Sequence, residues 1–256
     1  MYGHLFAQIL GFEGMPFKFI YDLGGKAAVM VFLLISGISI GYSYANNKRG
    51  FLKRRFLRIY PLYFIAVVLG VFLQYYIASP YYLPNSTMIA AGSLTSIANI
   101  LLLQGIASIT ITYNAPLWSL GVEAFLYLMV PLLVHLRLRY ILLITFMSMF
   151  AIMFLNYSFL YGYLNLIWAW PFLIGVIITV KKQFLYSIPL LMLSILIVFY
   201  QKSIFSDSLS VLTAILGVLL SCSAMFMKLE FSKQILKVFN FLGTISYPIY
   251  VFHWPL

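Results

Sequence analysis

Long uninterrupted runs of apolar residues recur along this chain, and they restrict its fold more than any other feature. A helix crosses the hydrocarbon core of a bilayer with about 20 apolar residues, and most of these runs approach that length. They lie near 4–12, 27–45, 59–78, 117–136, 140–156, 164–180, 185–200, 209–227 and 241–256. The pattern predicts an all-α fold, a polytopic transmembrane helix bundle of about nine to ten helices with a partial first helix.

The composition indicates that lipid is the solvent for most of the surface. Hydrophobic residues make up 64% of the 256 residues and charged residues only 8%, whereas soluble domains carry about 25% charged residues. Tyrosines and tryptophans lie near the ends of several runs, where their rings favour the membrane interface. The single cysteine, Cys222, excludes an intrachain disulfide, and the sequence has no metal-ligand spacing. We therefore expect no metal and no bound cofactor.

Basic residues are concentrated between the apolar runs. The net charge is +11, and its clusters lie at 46–58, 137–139, 181–182 and 228–237. All of them fall on one side of a membrane if a shorter apolar stretch, 94–109, does not cross and forms a re-entrant or interfacial helix. The positive-inside rule makes that side cytoplasmic, which predicts a multi-pass protein of the cell membrane. The charge therefore indicates membrane lipid as a partner and no nucleic acid.

The chain is predicted to be a single domain, 1–256, because no internal repeat, long linker or low-complexity segment divides it. Its first apolar run offers about nine residues before Glu13, too few to cross a bilayer. We therefore expect a domain that lacks part of its first helix and a final helix.

Ionisable side chains inside membrane spans are costly, so each is a candidate for function. His4, Glu123 and His253 lie in apolar runs. At about 1.5 Å per residue, Glu123 lies roughly 10 Å and His4 roughly 12 Å from the outer ends of their runs, while His253 lies about 18 Å from the inner face. The hydroxyl of Ser36 lies at a similar depth, so these four residues predict one polar cavity.

Polar residues repeat at helical spacing in two of the runs, which puts each set on one helix face. The sets are Ser119, Glu123 and Tyr127, and Ser246, Tyr250 and His253. Such faces line a site, or they form hydrogen bonds that hold helices together without chemistry. The residues alone leave both interpretations open.

Three arginines, Arg54, Arg55 and Arg58, come just before the run that begins at residue 59. Arg54 and Arg58 are four residues apart and share a helix face. Arginines bind phosphate through bidentate hydrogen bonds, which predicts a phosphate site at the inner mouth of the cavity. The alternative is that they only face lipid headgroups and set the topology.

Four segments together resemble the acyltransferase-3 family of polytopic membrane acyltransferases, which includes O-antigen and exopolysaccharide O-acetylases. They are VFLLISGISIGYS (31–43), FLKRRFLRIYPLYF (51–64), LWSLGVEAFLYLMVPLL (117–133) and LGTISYPIYVFHWPL (242–256). Each is similar to a family motif, and their order and spacing fit. The resemblance spans nearly the whole chain.

The resemblance implies transfer of an acyl group, usually acetyl, from acyl-CoA on the cytoplasmic side to a hydroxyl of a glycan or lipid-linked sugar. His4 stands where the family has its first-helix histidine, and Glu123 matches the motif glutamate. Met30 departs from the family, which often has an acidic residue there. The predicted residues are His4, Glu123 and His253 for catalysis, Arg54, Arg55 and Arg58 for acyl-CoA, and Ser36, Trp118 and Tyr250 for substrate.

The chemistry of acyl transfer favours a histidine base. A hydroxyl attacks a thioester faster when its proton is removed as the bond forms, and histidine has an unperturbed pKa close to working pH. Cys222 has no histidine beside it in its run, which leaves His4 and His253, and the family position favours His4. Transfer is direct, or it passes through an acyl-histidine.

Two other interpretations compete with acyl transfer. A polytopic transporter is expected to show paired helices interrupted by glycine or proline in two repeated halves, and none is found in this sequence. An inactive, shortened acyltransferase is the second alternative, because the expected flanking helices are missing.

Overall fold

The computed structural model describes residues 25–76, 92–154, 164–201, 204–205, 209–226 and 233–252. Within these ranges the chain forms ten α-helices and one 3-10 helix, and the only β-type pairing is an isolated bridge between Gln104 and Ser108. The helices are α1 (Gly25–Asn46), α2 (Phe51–Tyr76), α3 (Ser93–Ile100), the 3-10 helix (Thr112–Leu117), α4 (Trp118–His135), α5 (Leu138–Phe154), α6 (Leu164–Ile167), α7 (Ala169–Thr179), α8 (Phe184–Tyr200), α9 (Ser210–Phe226) and α10 (Lys233–Phe252). The predicted all-α fold is confirmed.

Three of the described helices are long and apolar enough to cross a membrane. They are α1, the Phe51–Leu73 part of α2, and α4. Shorter apolar helices follow in α5, α7, α8 and part of α9. Length and composition thus indicate a membrane protein. Helix α3 has only eight residues and rises about 12 Å, so it is too short to cross, and the chain from 101 to 111 is irregular.

Several helix boundaries differ from the apolar runs. Helix α2 begins at Phe51, so the basic residues up to Arg58 form its first turns rather than a loop. Helix α10 begins at Lys233, ahead of the run at 241–256. Lysine and arginine are good helix formers, and hydropathy does not register them as helical. The predicted run 164–180 is divided at Trp168, whose buried ring packs edge-on against Phe205 with centroids 5.9 Å apart.

The described helices fall into two compact units. The first unit contains α1, α5, α7, α8, α9 and the last turn of α4, and the second contains α2, α3, the 3-10 helix, α6, α10 and the rest of α4. The candidate residues Arg54, Arg55, Arg58, Glu123 and Tyr250 all belong to the second unit.

In the first unit, α1 and α7 approach each other through glycines. A Cβ atom added at Gly175 would lie 2.6 Å from the backbone nitrogen of Ile38 and 2.7 Å from the carbonyl oxygen of Leu34. A Cβ at Gly37 would meet the backbone of Phe172, and one at Gly41 would meet Thr179. Small residues let helix backbones touch where lipid supplies no hydrophobic drive for association. These glycines therefore set the spacing of the two helices.

The first unit also places a lysine on the end of a helix. Lys181 Nζ donates hydrogen bonds to the carbonyl oxygens of Val134 at 2.8 Å and Leu136 at 2.5 Å. These carbonyls close α4, where the last C=O groups lack intrahelical donors. Partial burial lowers the pKa of Lys181. Its neighbour Lys182 is exposed and has a φ of +52°.

In the second unit, buried amide side chains hold the irregular segment before α4. Asn99 Nδ2 donates to the carbonyl oxygens of Thr95 and Ile109, both at 2.8 Å. Its Oδ1 accepts from the backbone N–H of Ile111 at 3.1 Å, and its own carbonyl accepts from the Tyr63 hydroxyl of α2 at 2.5 Å. The Asn99 side chain thus replaces the backbone pairing that a helix would have supplied.

Two further amides fix the end of this segment. Gln104 Nε2 donates to the carbonyl oxygen of Leu117 at 3.1 Å, and Asn114 Nδ2 donates to that of Val251 at 3.1 Å. Both side chains are fully buried. A Cβ atom at Gly121 would lie 2.9 Å from the Gln104 side chain, so α4 carries a glycine where this amide packs. The start of α4 is thereby held in place.

Candidate active site

Helix α4 carries a buried carboxylate in an otherwise apolar stretch. Glu123 is 5% exposed, and its Oε1 accepts a hydrogen bond from the hydroxyl of Tyr127, which is 8% exposed. The two residues are four apart, and the sequence predicted that they share a face. A buried carboxylate is costly without a partner, and Tyr127 supplies one.

A cation from α2 adds to this pair. Arg55 is half-buried and lies within electrostatic range of both Glu123 and Tyr127. Its guanidinium lies 5.7 Å from the centroid of the Phe51 ring. A guanidinium at this range puts a positive charge near the buried carboxylate. The site therefore combines a carboxylate, a phenol and a guanidinium.

The first residue of the predicted face, Ser119, joins α4 to α10. Its hydroxyl lies 2.5 Å from the hydroxyl of Tyr250, which donates to the carbonyl oxygen of Pro116 at 2.9 Å. Ser119 is fully buried, and Glu123 lies within electrostatic range of Tyr250. The two predicted faces thus meet at Ser119 and Tyr250, and these hydroxyls are engaged with each other.

Tyr247, three residues before Tyr250, was not among the predicted site residues. Its hydroxyl donates to the carbonyl oxygen of Ile59 in α2 at 2.6 Å. Glu123, Arg58 and Tyr250 all lie within its electrostatic range. By contrast, Ser246 is exposed and bonds back to the carbonyl of Gly243 in its own helix at 3.0 Å. On α10, the tyrosine next to the expected serine is thus the residue that contacts α2 at Ile59.

The three predicted arginines differ in their surroundings. Arg54 donates to the carbonyl oxygens of Arg49 at 2.5 Å and Asn47 at 2.6 Å, which fastens the turn between α1 and α2. Arg55 is half-buried and faces the carboxylate region, whereas Arg58 is exposed. Binding of acyl-CoA by all three arginines stays a prediction. Their surroundings differ, because Arg54 is bonded to the turn, Arg55 is half-buried and Arg58 is exposed.

The remaining predicted residues are distributed as follows. Trp118 begins α4 and is 8% exposed. Ser36 is 6% exposed in α1, within the first unit. His4 and His253 lie outside the described residues. The substrate and catalytic roles of these residues stay predictions.

The described part of the chain contains no group of three or more His, Cys, Asp and Glu side chains arranged to hold a metal ion.

The sequence did not lead us to a set of neutral polar residues, namely Asn99, Gln104, Asn114 and Tyr247. The sequence does contain a signal for the amides, because burying an amide in an apolar stretch is unfavourable unless it has a hydrogen-bond partner, as for a hydroxyl. The sequence predictions rested on ionisable groups and on hydroxyls at helical spacing, and they did not include these four residues.

Comparisons with known proteins agree with the motifs. The sequence model of the acyltransferase-3 family, described as an acyltransferase domain, matches residues 1–256. A curated relative, the acyltransferase MdmB of Streptomyces mycarofaciens, is 32% identical over 116 residues, covering 42% of this chain and 28% of that protein. The match thus spans less than a third of the relative's length. No solved structure matches. Because the family match covers every residue of the sequence, the chain belongs to the acyltransferase-3 family.

Proposed function

We propose that this chain is a multi-pass acyltransferase of the cell membrane. It transfers an acyl group, acetyl in the simplest case, from acyl-CoA to a hydroxyl of a glycan or lipid-linked sugar. The observation that carries the proposal is the buried Glu123–Tyr127 pair beside Arg55, in a chain of the acyltransferase-3 family. A charged cluster inside an apolar protein is costly and marks a site of function.

The donor end of the proposed site lies at the start of α2. Arg58 is exposed and precedes the apolar part of that helix, so its guanidinium is available to the phosphates of acyl-CoA. Arg54 donates two hydrogen bonds to backbone carbonyls of the turn before α2. Its contribution to donor binding is mainly to fix that turn. Arg55 lies within electrostatic range of Glu123 and adds positive charge near Arg58. Charge-assisted, bidentate contacts suit arginine to phosphate.

The acyl transfer step uses His4 as the base. The imidazole takes the proton of the acceptor hydroxyl while the oxygen of that hydroxyl attacks the thioester carbonyl. The carbon–sulfur bond then breaks, and the CoA thiolate leaves with the proton from the imidazolium. In the alternative, a ring nitrogen of His4 attacks the thioester, CoA leaves, and the acceptor hydroxyl takes the acyl group from histidine. His253 is the second candidate for either role.

Glu123 has a supporting role in this proposal. Its carboxylate orients a histidine or accepts a hydrogen bond from the acceptor, and the Tyr127 hydroxyl donates a hydrogen bond to it. Ser36, Trp118 and Tyr250 are the proposed contacts of the substrate. Tyr250 is already bonded to Ser119 and Pro116, so it presents its ring rather than a free hydroxyl.

The test is acyl-CoA-dependent labelling of membrane glycans by the full chain in membranes. Radiolabelled acetyl-CoA is supplied, and the label in glycan and glycolipid fractions is compared with that from His4→Ala. Label in the wild type and its loss in the variant support the proposal. Full labelling by well-folded His4→Ala refutes the base assignment, and unlabelled glycans with net solute uptake identify a transporter instead. Incubation without acceptor separates the two routes, since label on His4 refutes direct transfer.

A further inference from the structure

Two helices of the second unit each contain a proline near the point where they meet. Pro61 lies inside α2 and Pro248 lies inside α10. Proline has no N–H to donate to the carbonyl four residues earlier, and its ring disturbs the preceding turn. The carbonyls affected are those of Leu57 and Thr244. Both helices are therefore weakened close to Ile59 and Tyr247.

A single side chain bridges these weakened turns. The hydroxyl of Tyr247 donates to the carbonyl oxygen of Ile59 at 2.6 Å, although the two residues are 188 positions apart. Ile59 is buried and directly follows Arg58. A hydrogen bond at this point fixes the first turns of α2, which carry the arginines, against α10.

The same stretch of α10 is fastened on its other side. Tyr250 bonds to Pro116 and Ser119, and the carbonyl of Val251 accepts from Asn114. Away from these contacts, α10 is loosely surrounded by described residues, and a Cβ atom at Gly243 would have no neighbour within 4 Å. The position of α10 thus depends in part on these polar contacts, and among the described residues the contact from Tyr247 reaches α2 next to Arg58.

We propose that Tyr247 is a positioning residue that sets the start of α2, and with it Arg58, against α10 for binding of the acyl-CoA donor. This inference rests on the proposed function, because it assigns the donor to Arg58. The Tyr247 hydroxyl is bonded to the backbone of α2. It acts through the Ile59 carbonyl, and its loss frees a turn that Pro61 has already weakened.

The test compares Tyr247→Phe with Tyr75→Phe. Tyr75 lies on α2 with its side chain 55% exposed, so this control removes a hydroxyl from the same helix without removing the bridge. The first measurement is the Kd of radiolabelled CoA for the full chain in lipid nanodiscs, normalised to folded protein. Tyr247→Phe is expected to raise the Kd about tenfold, the effect of one well-placed hydrogen bond, and Tyr75→Phe is expected to leave it unchanged.

The second measurement reports on the helices directly. Spin labels at Leu52→Cys on α2 and Leu242→Cys on α10, both exposed positions, are placed in a Cys222→Ser background. Tyr247→Phe is expected to broaden the distance distribution between the labels, whereas Tyr75→Phe is expected to preserve it. An unchanged distribution overturns the proposal, and so does a broadened one with unchanged CoA affinity. A wild type that binds no CoA also overturns it. Neither measurement needs an acceptor or turnover. A failure of the proposed acyl transfer is therefore distinguished from a failure of the role assigned to Tyr247.

Discussion

Tyr127 donates its hydroxyl to the carboxylate of Glu123 one turn earlier on α4, and both side chains are almost fully buried. The pair lies within electrostatic range of Arg55 from a different helix. A buried carboxylate held in this way has a fixed orientation and a compensating charge. This arrangement fits the supporting role proposed for Glu123, in which its carboxylate orients another group.

Glu123→Gln is expected to lower kcat at least tenfold, with little loss of folded protein. The amide keeps the size and hydrogen-bonding capacity of glutamate and removes its charge, so only an electrostatic role is lost. Tyr127→Phe removes one hydrogen bond and is expected to act in the same direction with a smaller effect. The measurement is acyl transfer from radiolabelled acetyl-CoA. Normal turnover in Glu123→Gln assigns Glu123 to packing.

Arg58→Ala is expected to raise the apparent KM for acyl-CoA roughly tenfold or more, since a charge-assisted hydrogen bond is typically worth about 1.5–3 kcal/mol. Arg58→Lys is expected to restore binding in part, because an ammonium cannot reproduce the guanidinium fork. Arg54→Ala is the control, because Arg54 bonds to the Asn47 and Arg49 carbonyls. If Arg58→Ala leaves the KM for acyl-CoA unchanged and only lowers the amount of protein, Arg58 sets the topology and does not bind the donor.

Gly175→Ala is expected to destabilise the protein by about 1–3 kcal/mol, the usual cost of overpacking. The added methyl group would meet the backbone of α1 at Ile38 and Leu34, which cannot yield as a side chain can. Gly243→Ala is the matched control in α10, where the methyl group meets nothing within 4 Å. It is expected to be neutral or stabilising, since alanine is the better helix former. Thermal unfolding in detergent compares them, and equal midpoints contradict close packing at Gly175.

Lys181→Met is expected to lower the free energy of unfolding by roughly 1–3 kcal/mol, because two carbonyls at the end of α4 lose a charged donor. Lys182→Met removes the same charge from the same basic segment, but Lys182 is exposed, so little change is expected. Each variant removes one positive charge from this segment, so any effect on topology is the same in both. A similar loss in both variants indicates an effect of charge and contradicts the role of Lys181 at the helix end.

Single-cysteine labelling in a Cys222-free background tests the predicted topology. Lys48→Cys is expected to be protected from an impermeant reagent added to intact cells, and Asn85→Cys is expected to react. The basic segment 46–58 is expected on the cytoplasmic side under the positive-inside rule, and the segment 79–116 is expected on the outer side apart from a re-entrant piece. Reaction at position 48 but not at 85 would reverse the assignment.

Apolar runs predicted the helices whose ends coincide with a change in hydropathy. The run 117–136 became α4 (Trp118–His135), and 185–200 became α8 (Phe184–Tyr200). The start of α2 was missed because hydropathy treats Arg54 and Arg55 as the end of a span, although arginine continues a helix readily. Charge and backbone conformation are independent properties, and a hydropathy pattern measures only one of them.

The candidate site was predictable only where its contacts lie within one helix. The spacing of Glu123 and Tyr127 put them on one face, and they bond to each other. The contact between Tyr247 and Ile59 joins residues far apart in sequence, and no periodicity in either helix indicates it. The roles of His4 and His253 rest on residues outside the described structure and stay predictions.

The amide-held segment before α4 has a consequence for how the protein enters the membrane. Its irregular backbone is paired through Asn99 and Gln104, and Asn99 in turn accepts from Tyr63 of α2. Unpaired backbone is not tolerated in lipid, so this segment cannot partition into the bilayer alone during synthesis. Its pairing needs the Tyr63 hydroxyl of α2 and the carbonyl oxygen of Leu117 just before α4. We therefore expect this segment to reach its folded form only after the helices on either side of it are in place.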